Sequence, residues 1–94
     1  MFLKDITTFH KRRGLLLGST EKIVTAPTKL HCIKQCVIEK SFRCLSVNYS
    51  PEEDFDNCSL NSADISTHPD FFTHQMAFIY AERPCVVKRW LYMS

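Results

Sequence analysis

The arrangement of the cysteines constrains the fold of this 94-residue chain more than any other feature of its sequence. Four of the five cysteines lie close together, at Cys32, Cys36, Cys44 and Cys58. Because Cys32 and Cys36 are four residues apart, they share one face of a helix. Cys44 and Cys58 lie in short segments whose composition is typical of strands. The pattern predicts a helix that two disulfides hold against a sheet, in a protein that folds in an oxidising compartment.

The size of the chain allows one domain with a modest core. A domain of 94 residues buries roughly 60–65% of its surface on folding, so cross-links add useful stability. The formal net charge of +2 is too small to indicate a nucleic-acid partner. Since no segment approaches the roughly 20 apolar residues of a transmembrane helix, we expect no membrane insertion by this segment.

The N-terminal part of the chain does not resemble a signal peptide. Its basic residues precede only three leucines, at positions 15–17, whereas a signal peptide has an apolar stretch of about 7–15 residues. A chain whose cysteines indicate disulfides but which carries no export signal is expected to be a piece. The sequence therefore predicts one domain of a longer extracellular protein, or an incomplete gene model.

One helix is predicted, over residues 29–40. Leu30, Ile33 and Val37 follow the helical spacing of an apolar stripe. Cys32 lies beside that stripe, and Thr28 is a favourable N-cap because its hydroxyl can accept a hydrogen bond from the first turn.

The remaining pattern predicts an antiparallel sheet. Residues 1–14 show no clear period, and residues 62–75 are predicted to be a long loop. If Cys32 and Cys36 bond to Cys44 and Cys58, the helix must lie on the sheet face that bears Cys44, Ser46, Cys58 and Leu60. The fold class is α+β, with a single helix packed on a curved antiparallel sheet of four to five strands. Strands are predicted at residues 15–17, 22–26, 44–50, 57–61 and 76–81.

Two interpretations of the cysteine cluster remain open at this level. Four cysteines allow three disulfide pairings, of which the nested one suits a helix followed by two adjacent strands. Alternatively, the four thiolates and the adjacent His31 could form a structural zinc site in an intracellular module. The Cys-x3-Cys spacing in a helix disfavours zinc, because structural sites prefer Cys-x2-Cys knuckles in loops.

No pattern in the chain indicates an enzyme. With only two glycines, Gly14 and Gly18, it lacks a phosphate-binding loop. No histidine belongs to a recognisable nucleophile motif, and each is expected to lie on the surface. We therefore expect a binding module without cofactor, metal or catalytic residues. The histidines are His10, His31, His68 and His74.

The motifs together resemble the PAN/apple domain over about Phe9 to Cys85. The resemblance rests on Cys32-x3-Cys36, Phe42-x-Cys44-x-Ser46-x-Asn48-Tyr49, Cys58-x-Leu60-Asn61 and Tyr80-x-Glu82. It implies the nested disulfides Cys32–Cys58 and Cys36–Cys44. Many members join the two domain ends by a third bond, but no cysteine precedes Cys32 here, so Cys85 is predicted to be unpaired. The predicted boundaries are an extension at 1–8, the domain at 9–85, and a tail or linker at 86–94.

The resemblance implies that the domain functions by binding other molecules. PAN/apple domains are extracellular modules that bind proteins or carbohydrates, including heparin-like polymers in some members, and they are not themselves catalytic. We therefore expect a module of a larger secreted or adhesion protein, in an extracellular location. Its expected partner is an extracellular protein or a sulfated glycan.

Three sets of candidate residues follow from this expectation. Cations suited to a sulfated glycan are Lys11, Arg12, Arg13, Lys34, Lys40 and Arg43. Aromatic anchors suited to a protein partner are Phe71, Phe72, Trp90 and Tyr92. Two N-x-S sequons begin at Asn48 and Asn57, and Pro51 makes the first a poor acceptor, so Asn57 is the predicted glycosylation site.

Overall fold

The computed structural model describes residues 9–84, which form seven strands and one α-helix. The elements in chain order are β1 (His10–Arg13), β2 (Leu15–Leu16), β3 (Thr20–Val24), α1 (Lys29–Ile38), β4 (Ser46–Tyr49), β5 (Cys58–Asn61), a 3-10 turn (Pro69–Phe71), β6 (Phe72–Thr73) and β7 (Ile79–Glu82). Five strands form an antiparallel sheet in the order β1-β7-β4-β5-β3, and β2 pairs with β6 in a small second sheet. The predicted fold class is confirmed.

Helix α1 begins where the sequence predicts and ends earlier. The Thr28 hydroxyl accepts a hydrogen bond from the His31 backbone N–H at 3.2 Å, which caps the first turn. The helix ends at Ile38 because the Glu39 backbone is extended. The Glu39 side chain then accepts from the backbone N–H groups of the two residues that follow it. Residues 39–40 of the predicted helix are therefore outside it.

The two disulfides fix α1 to the sheet in the nested pairing. Cys32 bonds to Cys58 of β5 across a Cα–Cα distance of 5.6 Å. Cys36 bonds to Cys44, two residues before β4, across 5.3 Å. All four disulfide-bonded cysteines are buried together with Ile33 in the main core. The disulfides argue against the alternative of a zinc module, because they consume the thiols that zinc would need.

The helix covers the predicted face of β5, which bears Cys58 and Leu60, but it covers the face of β4 opposite to the one predicted. In the ladder, Val47 lies beside Leu60 and Tyr49 beside Cys58, and all four belong to the core under α1. Ser46 faces away, where its hydroxyl donates to the Ala63 carbonyl at 2.6 Å. The prediction for β4 was wrong because it took the face from Cys44, which lies outside the strand and therefore does not follow its alternation.

The second face of the sheet is covered by β2 and β6. Asn48 of β4 accepts from the Leu16 N–H at 2.9 Å and donates to the Leu16 carbonyl at 2.8 Å, so one buried amide ties β2 to the sheet. Leu16, Ala63 and Tyr80 form a second buried cluster there. Both faces of the central strands are thus buried.

The largest departure from the predicted strands is β1, in a segment where no element was predicted. All four β1 side chains are exposed, so the strand has no buried alternation for the sequence to reveal. Its position at the sheet edge, paired only with β7, explains that exposure. The strands β3 and β7 are each shifted by one to three residues from prediction, and β6 lies inside the predicted loop.

Tyr80 is expected to make the domain sensitive to alkaline pH. Its hydroxyl donates to Glu82 at 2.8 Å and accepts from the Ile65 N–H at 3.0 Å. Burial, followed by the hydrogen bond to Glu82 and its charge, raises the pKa of Tyr80 well above its ordinary value of 10.0. The unfolded chain ionises near pH 10 and the folded domain does not, so the free energy of unfolding should fall as the pH rises above about 10.

Urea unfolding of wild type and Tyr80→Phe over a series of alkaline pH values measures this effect. Tyr80→Phe should lose less stability than wild type above pH 10, because it has no hydroxyl to ionise. Parallel stability curves for the two proteins would contradict the expectation.

Candidate ligand-binding site

The basic run Lys11-Arg12-Arg13 lies on β1, at one edge of the main sheet. Antiparallel pairing with β7 fixes its register, with Lys11 beside Ala81 and Arg13 beside Ile79. Ala81 belongs to the core under α1, so Lys11 and Arg13 are on the helix side of the sheet. The sequence placed these cations in an irregular segment, whereas the structure holds them on a rigid element.

These cations border an open pocket of about 240 Å³ between β1 and the start of α1. Its lining residues are Lys11, Arg12, Arg13, Lys29 and Ile79. Lys29 is the first residue of α1, and the Tyr49 hydroxyl holds the preceding turn by donating to the Pro27 carbonyl at 3.5 Å. We call this set of five residues the basic pocket.

Positive charge is concentrated in the basic pocket and is not neutralised there. Burial, followed by repulsion from Lys29, lowers the pKa of Lys11. Its ammonium group donates to the Phe9 carbonyl at 3.0 Å, and Arg13 donates to the Met76 carbonyl at 3.2 Å. Within residues 9–84, none of the four pocket cations forms an ion pair. The pocket therefore offers a favourable environment for an anionic ligand.

The other three predicted cations are exposed but do not line the basic pocket. Lys34 lies midway along α1. Lys40 follows Glu39, which pairs with Lys22 of β3 at 3.1 Å, so it lies toward the opposite edge of the sheet. Arg43 is in the loop before β4. The structure thus brings together three of the six predicted cations and adds Lys29, which the sequence analysis did not single out.

Of the predicted aromatic anchors, Phe71 and Phe72 have different surroundings. Phe71 is 37% exposed, lies over Gly18 and stacks with His68 at 4.8 Å between ring centroids. Phe72 is half-buried in the second cluster and packs edge-on against Tyr80 at 5.4 Å. The other two predicted anchors and the predicted unpaired cysteine lie outside the described residues; they are Trp90, Tyr92 and Cys85.

The amide of Asn57 is occupied by the fold. Asn57 is buried, and its side-chain oxygen accepts from the Ala26 N–H at 2.8 Å. Its nitrogen donates to the carbonyls of Ala26 at 2.8 Å and Glu53 at 3.1 Å. A glycan on that nitrogen would disrupt both bonds. In the folded domain the Asn57 amide is therefore engaged within the protein, and glycosylation at this residue stays a prediction.

The described residues form a disulfide-linked α+β domain with a basic surface pocket, and no metal-binding cluster is found among them. The family model for the PAN domain matches residues 8–85, and the chain belongs to this family. PAN domains bind proteins or carbohydrates and are generally not catalytic. Among described residues, no helix has the length and apolar character needed to cross a membrane.

One curated relative is an uncharacterized protein of Caenorhabditis elegans. It is 32% identical to this chain over 90 residues. The match covers 88% of this chain but 14% of the relative, so the chain spans about one seventh of that protein's length.

Proposed function

We propose that this PAN domain is an extracellular recognition module whose basic pocket binds a sulfated glycan. The observation that carries the proposal is the convergence of four cations without acidic partners on one open pocket. An extracellular location is supported by the two buried disulfides, which persist in oxidising compartments.

The shape of the site suits a linear polyanion. Lys11 and Arg13 lie on the same face of β1, two residues or about 6.6 Å apart, so they can meet successive charged groups of a polymer. Arginine presents a planar set of donors that can bind two oxygens of one anionic group, as Arg13 can here. Because the pocket is open, a chain can pass along it without its end having to enter.

The affinity of the 94-residue chain for a heparin oligosaccharide tests this function. The variant Lys11→Glu/Arg13→Glu should weaken binding strongly. Each lost charge-assisted hydrogen bond costs roughly tenfold or more in affinity. The wild-type affinity should also fall steeply as salt is raised, because the Debye length shrinks from about 10 Å at 0.1 M to about 3 Å at 1 M. Isothermal titration calorimetry at several salt concentrations gives both quantities.

A matched control separates the pocket from general surface charge. Lys34→Glu/Lys40→Glu makes the same change in net charge at exposed positions away from the pocket. It should retain most of the affinity. Equal losses for the two double variants would mean that the glycan senses only net charge, and the pocket would then have no special role.

Protein binding through an apolar patch is the second candidate function. Leu17 is 53% exposed, and its backbone N–H donates to the Phe71 carbonyl at 2.9 Å, which places two exposed apolar side chains on neighbouring backbones. Burial of such a patch against a protein would depend little on salt. A partner whose affinity survives 1 M salt and is lost on Phe71→Ser would favour this function.

A further inference from the structure

The loop between β4 and β5 carries the opposite charge to the basic pocket. Residues 51–56, which we call the acidic loop, are all exposed and include the carboxylates Glu52, Glu53, Asp54 and Asp56. Phe55 lies among them with 76% of its surface exposed. Aromatic side chains, Phe among them, are enriched at protein interfaces relative to the rest of the surface.

Hydrogen bonds hold the acidic loop in a defined shape. The Asp56 N–H donates to the Thr25 hydroxyl at 2.9 Å, and the Asp56 backbone lies in the left-handed region at φ 51°. The Glu53 N–H donates to the Ser50 carbonyl at 3.3 Å, and the Glu53 carbonyl accepts from Asn57 at 3.1 Å. The fold therefore presents Phe55 and its flanking carboxylates from an ordered support.

The acidic loop and the basic pocket lie at the same end of the main sheet. Tyr49, the last residue of β4 before the loop, is beside Ile79 of β7, and Ile79 is beside Arg13 of β1. Within the described residues, no ion pair joins the loop to the pocket of the same molecule. Each is therefore available to a second molecule.

We propose that two copies of this chain associate by placing the acidic loop of each in the basic pocket of the other. The carboxylates of one copy then face the cations of its partner, and Phe55 packs on Ile79 at the pocket wall. Because loop and pocket share one end of the molecule, a single two-fold axis can form both contacts at once. Complementary charge and a matching apolar contact identify the occupant as a second copy.

The proposal gives the glycan site a form of regulation. It rests on the proposed function in one respect: the dimer covers the same pocket, so a sulfated glycan and the acidic loop compete for it. An interface of one loop and one pocket on each side is small, which is typical of transient association. Its charge complementarity also makes it sensitive to salt.

Sedimentation equilibrium of the full chain in a Cys85→Ser background tests the dimer without interference from a disulfide link. At low salt and increasing concentration, the mass should rise from 11.0 kDa toward twice that value, and 1 M salt should return it to the monomer. The pocket variant Lys11→Glu/Arg13→Glu and the loop variant Glu52→Lys/Glu53→Lys should each remain monomeric, because each opposes like charges.

Sedimentation equilibrium of an equimolar mixture of the pocket and loop variants is the most stringent test of the proposed dimer. Both contacts are complementary in that heterodimer, so the mixture should dimerise although neither component does alone. A monomeric wild type at millimolar concentration, a dimer that survives in either variant, or a mixture that stays monomeric would each overturn the proposal.

Different results would contradict the glycan-binding proposal and the dimer proposal. A salt-sensitive dimer in a protein that binds no heparin oligosaccharide would sink the proposed function and leave the dimer standing. A monomer that binds the oligosaccharide through the pocket would do the reverse. If both hold, adding the oligosaccharide should lower the measured dimer fraction.

Discussion

Replacing Cys36 by serine is expected to lower the free energy of unfolding by about 2–5 kcal/mol, the range for losing a native disulfide in a small domain. The bond joins α1 to Cys44, which lies two residues before β4, and both of its cysteines are buried. Net stabilities of domains are roughly 5–15 kcal/mol, so this loss is a large fraction of the total. The midpoint of urea unfolding measures it.

The second disulfide provides an internal comparison for the first. Cys32 and Cys58 are separated by 26 residues, and Cys36 and Cys44 by 8. The chain-entropy model assigns about 3.6 kcal/mol to the longer loop and about 2.6 kcal/mol to the shorter, so removing the longer one should cost more. Cys85→Ser serves as the matched control and should unfold like wild type. An unchanged midpoint for Cys36→Ser would mean that the bond contributes nothing.

Replacing Arg83 by methionine is expected to cost about 2–4 kcal/mol, because it removes a buried charged donor from two carbonyls. Arg83 is 8% exposed and donates to the Cys44 carbonyl at 2.7 Å and the Cys36 carbonyl at 3.4 Å. Its guanidinium also lies 5.5 Å from the Phe9 ring centroid. One side chain thus connects the end of the described domain, its beginning and the end of α1.

Arg83→Lys is the matched control for that substitution. Lysine keeps the charge but lacks the planar guanidinium that reaches two carbonyls at once, so it should recover part of the lost stability. Urea unfolding of the two variants gives the difference directly. A loss below about 0.5 kcal/mol in Arg83→Met would place it among ordinary surface substitutions and contradict the expected role.

The helix and its N-cap could be predicted because each depends on residues close in sequence, and the disulfide pairing because the resemblance to the PAN/apple domain implies it. Thr28 needs only the turn that follows it to form a cap. The spacing of Cys32 and Cys36 limits the geometry to one helix face. The exact phase of the strands could not be predicted as well, since it depends on where the ladder begins. Cys44 precedes β4 and does not follow its alternation, so its bond to α1 did not indicate which face of the strand the helix covers.

The basic pocket shows where sequence alone is insufficient. Strand β1 has no apolar alternation, because an edge strand with every side chain in water needs none. Lys29 joins the pocket through the packing of α1 across the sheet, a long-range arrangement that no local pattern contains. The sequon at Asn57 is a local pattern that does not report its surroundings. The sequence alone cannot reveal that this amide is buried and bonded to Ala26.

A titration of the isotope-labelled chain with a heparin oligosaccharide, followed by amide chemical shifts, tests the proposed recognition site most directly. The largest shifts are expected at Lys11, Arg13, Lys29 and Ile79, which surround the basic pocket. Residues on the opposite edge, such as Lys22 of β3, should change little. Saturable shifts centred instead on Phe71, or no shifts at all at low salt, would contradict glycan recognition by the basic pocket.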